Sequence, residues 1–386
     1  MSLSEALRLA AQSHPLTRLA EADAGVARGE LVSARALPNP AVSGTLGPAK
    51  SSETSLVTGQ LGLSQTMELG GKRRLRTHGA RLRLDASEAL VRRQRDLVAL
   101  QVRRAFALAL IASERVATAL DADSVGRALQ RAAEERLLLG AGTQLELNVA
   151  AAAAARDRRA RAVAQQSRVQ ALADFQAAIS LPPSDSVVPV GPLMTVEPPA
   201  LLEDSLVRAA ITSRPDLVAL RYERDAAEQA LRLAQALRWP DPALGISAGR
   251  AEDFRVRLFT IALPLPLWNR GAGERASATA ALERANVALV AAEQGAEREI
   301  RVATRALQGA VESANAFDQQ VVSRLRENLD LADESFRSGK ISFFAYTTLR
   351  RDLVAARLDY LDALADVTER AFALAAATGS LAGGLP

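Results

Sequence analysis

Apolar side chains recur at helical spacing through two proline-free stretches, roughly residues 73–139 and 273–338, and each ends in a glycine break from which a second helical pattern returns. In the second stretch Ile300, Ala303, Leu307, Val311, Ala314, Leu325, Leu329, Ala332 and Phe336 keep a period near 3.6 and mark one apolar stripe on a charged rod. At about 1.5 Å per residue, about 65 residues span about 100 Å. No ordinary globular domain accommodates such a rod, and so narrow a stripe needs partner helices along its length. The breaks are Leu139-Gly140-Ala141-Gly142-Thr143 and Ser338-Gly339-Lys340-Ile341-Ser342. Glycine after a last helical turn supplies the left-handed residue that closes it.

Ahead of each rod the period changes. A short helix over about residues 4–13 leads into a longer one that ends near Ala36, before Pro38-Asn39-Pro40, because the residue before proline avoids the helical region. From 57 to 64 the chain alternates, with Val57, Gly59, Leu61 and Leu63 on one face and Thr58, Gln60, Gly62 and Ser64 on the other, which predicts a strand. Later, Phe254, Val256 and Leu258 alternate with Arg255 and Arg257 until Leu258-Phe259 breaks the phase. With the weaker segments 41–47 and 243–249, two hairpins are expected, their polar loops at 48–55 and 250–253. The fold class is mainly α with a small β part, four strands per chain and duplicated long helical hairpins.

The duplication is written in the residues at an offset near 200. Ala10-Ala11-Gln12-Ser13-His14-Pro15 is echoed by Ala210-Ile211-Thr212-Ser213-Arg214-Pro215, and Pro38-Asn39-Pro40-Ala41 by Pro240-Asp241-Pro242-Ala243. Residues 64–72 match 262–270 in the same order, and the Gly140 region matches the Gly339 region. The expected organisation is a first repeat over 1–181 (strand hairpin about 41–66, tip near 140), a proline-rich linker over 182–199, and a second repeat over 200–380 (strand hairpin about 243–266, tip near 339).

Composition narrows the function. Of 386 residues, 48% are hydrophobic and only 4% aromatic, much of the apolar share being alanine, so helices pack closely rather than around bulky cores. Against 48 basic side chains stand 44 acidic ones, a net +4, too small a surplus to argue for nucleic acid. With no cysteine, thiolate metal sites, disulfides and cysteine nucleophiles are excluded, and His14 and His78 do not make a multi-histidine site. Gly140-x-Gly142 lacks the preceding strand and third glycine of a dinucleotide loop, no Gly-x-Ser-x-Gly occurs, and carboxylate pairs such as Glu134-Glu135 read as the solvated face of a rod. Catalytic, cofactor and metal residues are therefore expected to be none. No apolar run reaches the roughly 18–20 residues of a membrane-crossing helix. No secretory leader precedes the first helical pattern, so either an internal protein or the start of a mature or truncated chain is expected.

What remains is architectural. Each hairpin is expected to have open edges that one chain does not pair; four strands are too few for a barrel, and three chains would provide twelve. Charge alternation in the fourth strand places Arg255 and Arg257 as candidate residues of a barrel lumen.

The duplicated order, the Ser13-His14-Pro15 and Ser213-Arg214-Pro215 helix ends, Pro38-Asn39-Pro40, Glu68-Leu69-Gly70-Gly71-Lys72 and Pro264-Leu265-Pro266-Leu267-Trp268-Asn269-Arg270 resemble the TolC family of outer-membrane efflux proteins, in wording nearest its heavy-metal-efflux branch. The resemblance covers nearly the whole chain. It implies a homotrimer with a twelve-stranded barrel in outer-membrane lipid and a helical tunnel in the periplasm. It implies the exit duct of a tripartite pump, coupled to a periplasmic adaptor (membrane fusion) protein and an inner-membrane transporter, expected to be of RND type. The glycine breaks become periplasmic tips, with Gly140, Gly142, Thr143, Gly339, Lys340 and Ser342 at adaptor-docking positions. Many relatives carry an acidic residue just after the second tip. Here that stretch is Phe343-Phe344-Ala345-Tyr346-Thr347-Thr348, which leaves Glu146 as the candidate for a tunnel constriction. The signal peptide and lipid-bearing cysteine of many relatives are not in this sequence. Competing readings are a duct for type I secretion and a soluble coiled-coil scaffold, which accounts for the rods but not for two matched strand hairpins.

Overall fold

The computed structural model describes residues 1–50, 55–182, 184–185, 187–193, 202–251, 254–265, 267–268, 270–317 and 319–379. The elements run α1 (Leu3–Ser13), α2 (Pro15–Arg35), β1 (Ala41–Lys50), β2 (Ser55–Thr66), α3 (Lys72–Leu138) and α4 (Gln144–Ala178). They continue with α5 (Glu203–Ser213), α6 (Pro215–Ala236), β3 (Ala243–Ala251), β4 (Phe254–Ala262), α7 (Ala272–Asn315), α8 (Gln319–Arg337) and α9 (Phe343–Thr378). Among the described residues no helix is long and apolar enough to cross a membrane.

Two compact units share these elements. In the first, α1 packs on α3 and α4 through Ala6, Ala10, Val102, Phe106, Phe175 and Ile179, the two rings edge to face at 5.6 Å. Small residues at the contacts let the backbones approach. The equivalent core joins α5, α7 and α9 through Leu206, Ala210, Ile300, Leu307, Ala371 and Leu374. In the second unit α2 lies on the start of α3 through Ala27, Leu31, Ala34, Ala80 and Leu84.

Three expectations change. The second rod is broken: α7 stops at Asn315 and α8 starts at Gln319. No proline or glycine marks the site. The ladder tightens there, Ala316 N–H donating to Glu312 O and Phe317 N–H to Ala314 O, and the Phe317 ring packs edge-on against Tyr360 at 6.1 Å. The stripe is correspondingly divided, Ile300 to Ala314 serving the core with α5 and α9 while Ala332 and Phe336 serve the tips; the Leu325 side chain lies outside the described residues. The strands also outrun their patterns, β1 reaching Lys50 and β2 starting at Ser55, with residues 51–54 and 252–253 of the expected loops outside the described residues.

The third change is in the edges. The hairpins are not separate: β2 pairs antiparallel with β3, so one sheet runs β1-β2-β3-β4 and only β1 and β4 are its edges. Gly249 permits that junction, since a Cβ there would stand 2.5 Å from Gly59 O.

Candidate functional site: helical tips and a two-faced sheet

Both glycine breaks fold into one turn geometry. Gly140 N–H donates to Leu137 O and Ala141 N–H to Arg136 O; Gly339 N–H donates to Phe336 O and Lys340 N–H to Ser335 O. The glycines sit at φ 69° and 71°, a region that costs a side chain about 1–2 kcal/mol. The returning helices are capped by hydroxyls, Thr143 Oγ1 accepting from Glu146 N–H at 3.2 Å and Ser342 Oγ from Ala345 N–H at 3.2 Å. At the first tip Glu146 Oε2 accepts from Thr143 N–H at 3.3 Å and completes a capping box. The Glu146 carboxylate is thus turned onto its own helix end. Gly142 lies against this box, where a Cβ would meet Arg136 and Glu146 Oε2 at 3.1–3.2 Å. The sequence reading missed the leucines around the first tip: Leu138, Leu139 and Leu145 are 86%, 82% and 61% exposed. Their signal was present, since consecutive leucines at the end of a charged rod satisfy no stripe.

Behind the tips, α3, α4, α8 and α9 meet through Leu129, Ala133, Ala150, Ala332, Phe343 and Tyr346. Tyr346 stacks on Phe336 at 4.7 Å and its hydroxyl donates to Asp333 at 3.1 Å; burial, the dominant cause, pushes that hydroxyl up to about 12. Farther back, the buried Asp123 accepts from Arg161 at 3.0 Å and pairs with Arg127 at 3.3 Å. Arg350, also buried, bridges to Asp157 at 3.0 Å and donates to Ala122 O. One guanidinium therefore fixes α9 to both α3 and α4. A cleft of roughly 280 Å³ opens beside it, lined by Asp121, Asp330, Asp333 and Arg357 among others. Among the described residues no three His, Asp or Glu side chains are placed to hold a metal ion.

In the second unit the sheet has two unlike faces, fixed by its register. The Cα partners Val42, Leu63, Ile246 and Phe259 form one transverse row, and Gly44, Leu61, Ala248 and Arg257 the next. Because side chains alternate, Leu46, Leu244 and Ile261 share that face. Its large side chains are open, Val42, Leu61, Ile246, Phe259 and Ile261 each being 63–78% exposed. The opposite face carries Ser43, Thr45, Gln60, Ser64, Ser247 and Thr260, joined in β4 by Val256 and Leu258, and Gln60 Nε2 donates to Ser247 Oγ at 2.5 Å. One apolar face and one polar face are the pattern of a membrane barrel strand, apolar side to lipid.

The register also places Arg255 and Arg257. They stand with Arg250 on the face of Ile246, Phe259 and Ile261, not with Ser247 and Thr260. Phe259 and Ile261 continue the parity of the two arginines, which is what the break in phase at Leu258-Phe259 records. A lipid-face arginine costs about 2–4 kcal/mol at the midplane but about 0–1 near an interface, and all three lie at the hairpin end of the sheet.

The opposite end of the sheet is locked to the helices. Lys72, buried, donates from Nζ to Trp239 O at 2.6 Å and to Asp241 Oδ2 at 2.8 Å, while Leu69 N–H donates to Asp241 Oδ1 at 2.8 Å. Glu68 bridges to Arg76 at 2.5 Å. The motifs around Gly70 and Pro240 are thus two halves of one joint.

Comparison with known proteins agrees with this geometry. Over 387 aligned residues, 96% of this chain and 88% of the relative, the chain is 25% identical to the cobalt-zinc-cadmium resistance protein CzcC of Cupriavidus metallidurans. Its fold is similar to the outer membrane protein VceC of Vibrio cholerae (TM-score 0.77, 21% identity, 100% of this chain and 97% of that one). It is also similar to the Campylobacter jejuni CmeC outer membrane channel (TM-score 0.79, 16% identity, 98% and 85%). The family model described as outer membrane efflux protein matches twice, over residues 6–180 and 206–380. Those two matches take in nearly every element of both helical hairpins and the sheet, and on them the chain belongs to the outer membrane efflux protein family, as an exit duct in the outer membrane with a periplasmic helical part.

Proposed function

We propose that three copies of the chain close one barrel and one helical tunnel, and that the duct discharges divalent transition-metal cations handed over by a periplasmic adaptor and an RND-type inner-membrane transporter. The observation that carries the assembly is the four-stranded sheet with an open apolar face and two open edges, β1 and β4. A second copy would give eight strands, whose interior is just filled by side chains; a third gives twelve, the smallest multiple of four that leaves a passage. The cargo rests on likeness to a cobalt-zinc-cadmium resistance protein along 96% of the chain. Two repeats, 1–181 and 200–380, with a linker over 182–199, accord with the repeated order of elements.

Adaptor docking is assigned to the two tips. Gly140, Gly142 and Thr143, with Gly339, Lys340 and Ser342, shape two turns of the same form, and Leu138, Leu139 and Leu145 offer exposed apolar contacts. Glu146 Oε2 is engaged in its cap, so any part in a constriction falls to Oε1. The test uses the absence of native cysteine. Cysteine at Val42 in β1 combined with cysteine at Phe259 or Ile261 in β4 should give, on oxidation in outer membranes, a ladder ending at a covalently linked trimer. A ladder that stops at a dimer, or no cross-link from either pair, would refute the closure.

A further inference from the structure

The apolar face of the sheet ends in a cluster of three arginines. Arg250 and Arg255 are direct cross-strand partners, and Arg257 is two residues along β4 on the same face. Across β2 and β1 the row of Arg250 continues through Gly59 to Leu46, whose side chain comes within 3.2 Å of where a Gly59 Cβ would stand, and the row of Arg257 continues through Ala248 and Leu61 to Gly44. Directly below, a shallow groove runs over Val42, Leu63, Ile246 and Phe259 and reaches Arg257. Arg257 therefore lines one end of an apolar groove, and Arg250 and Arg255 pair in the next row on the same face.

The connectivity says which end this is. β1 is entered from α2, β2 leads into α3, β3 is entered from α6 and β4 leads into α7, so every helix joins the sheet at the end away from the hairpin turns. With the helices in the periplasm, the arginines lie toward the outer leaflet. From Arg255 to Ala262 the strand covers about 24 Å at about 3.4 Å per residue, close to the roughly 25 Å apolar band of a membrane barrel. Trp268, 94% exposed, follows β4 at the other end, where a barrel places its aromatic girdle.

We propose that Arg250, Arg255 and Arg257 bind the phosphate groups of a phosphorylated lipid of the outer leaflet, one acyl chain of which lies in the groove below Arg257. Paired cationic side chains opposite one another repel, and a dianionic headgroup is the neighbour that reverses the sign. By sequence, residues 250–257 hold these three arginines with Glu252 and Asp253, a positive balance of one. The proposal rests on the barrel reading, and the test separates the two. Native mass spectrometry of the detergent-extracted full-length oligomer would be run with lipid A carrying its phosphates, with dephosphorylated lipid A, and with inorganic phosphate as competitor. The expected result is binding of the phosphorylated form at least tenfold tighter than the dephosphorylated one, little competition by millimolar phosphate, and loss of that preference in the triple variant R250Q/R255Q/R257Q. Equal binding of the two lipids to the unsubstituted protein overturns the proposal without any variant, as does an unchanged preference in the triple variant or full displacement by inorganic phosphate. A conducting pore in planar bilayers from the same preparation keeps the barrel reading standing if the lipid site fails.

Discussion

Lys72 is the residue on which the joint between sheet and helices turns. Its ammonium group is buried with a carbonyl and a carboxylate as partners, so removing it leaves Asp241 with an uncompensated charge. Breaking one side of such a pair costs on the order of 3 kcal/mol. Lys72→Met should therefore lower the temperature at which the extracted oligomer dissociates by several degrees. Asp241→Asn should lower it less, because Lys72 Nζ still donates to Trp239 O and the amide oxygen still accepts from Leu69 N–H; equal losses would assign the joint to the ion pair alone. His14 gives a pH dependence. It closes α1 with Leu16 N–H donating to its Nδ1 at 3.3 Å, and burial holds its pKa below the ordinary 6.5. The folded chain keeps it neutral while the unfolded chain takes up a proton first, so this contribution is intact above about pH 6.5 and is lost as the pH falls toward the folded value. His14→Gln should flatten the fall in melting temperature between about pH 7 and pH 5. An unaltered slope would mean that the imidazole is not desolvated.

At the scale of elements, local chemistry was the more readable. The Pro38-Asn39-Pro40 stop, the glycines that end α3 and α8, and the alternation in β2 act on neighbours in sequence, and each element stands within a few residues of its pattern. What escaped depends on distant partners. The junction of β2 with β3 joins Leu63 to Ile246, and no local pattern encodes it. That Arg255 and Arg257 share a face with Leu61 and Ile246 follows from that register, since alternation orders the residues of one strand only. The break after Asn315 has no helix-breaking residue within the described chain. The tips carry the prediction at this scale. Gly140→Val forces a β-branched side chain to φ 69°, at about 1–2 kcal/mol, and Thr143→Ala removes a cap of about 1 kcal/mol. Both should weaken cross-linking to the adaptor and raise metal sensitivity while the oligomer persists in outer membranes. Full adaptor coupling in the glycine variant would remove the tips from the docking surface.

The whole molecule is incomplete as one chain. Among the described residues, an open apolar face, two sheet edges and long helices with narrow stripes would each be satisfied by the proposed further copies, and the sequence showed the need more plainly than the number. Tunnel and barrel also divide the chemistry. Selectivity has little footing in a strand face of Ser, Thr and Gln, so the proposed duct leaves cargo choice to its proposed upstream partners. The three-chain duct is tested by the protein mass of the detergent-extracted particle, from light scattering corrected for bound detergent. The expected mass is three times the 40.9 kDa chain, about 123 kDa, in particles that conduct when inserted into a planar bilayer. A mass of one or two chains, or a trimer that never conducts, would contradict it.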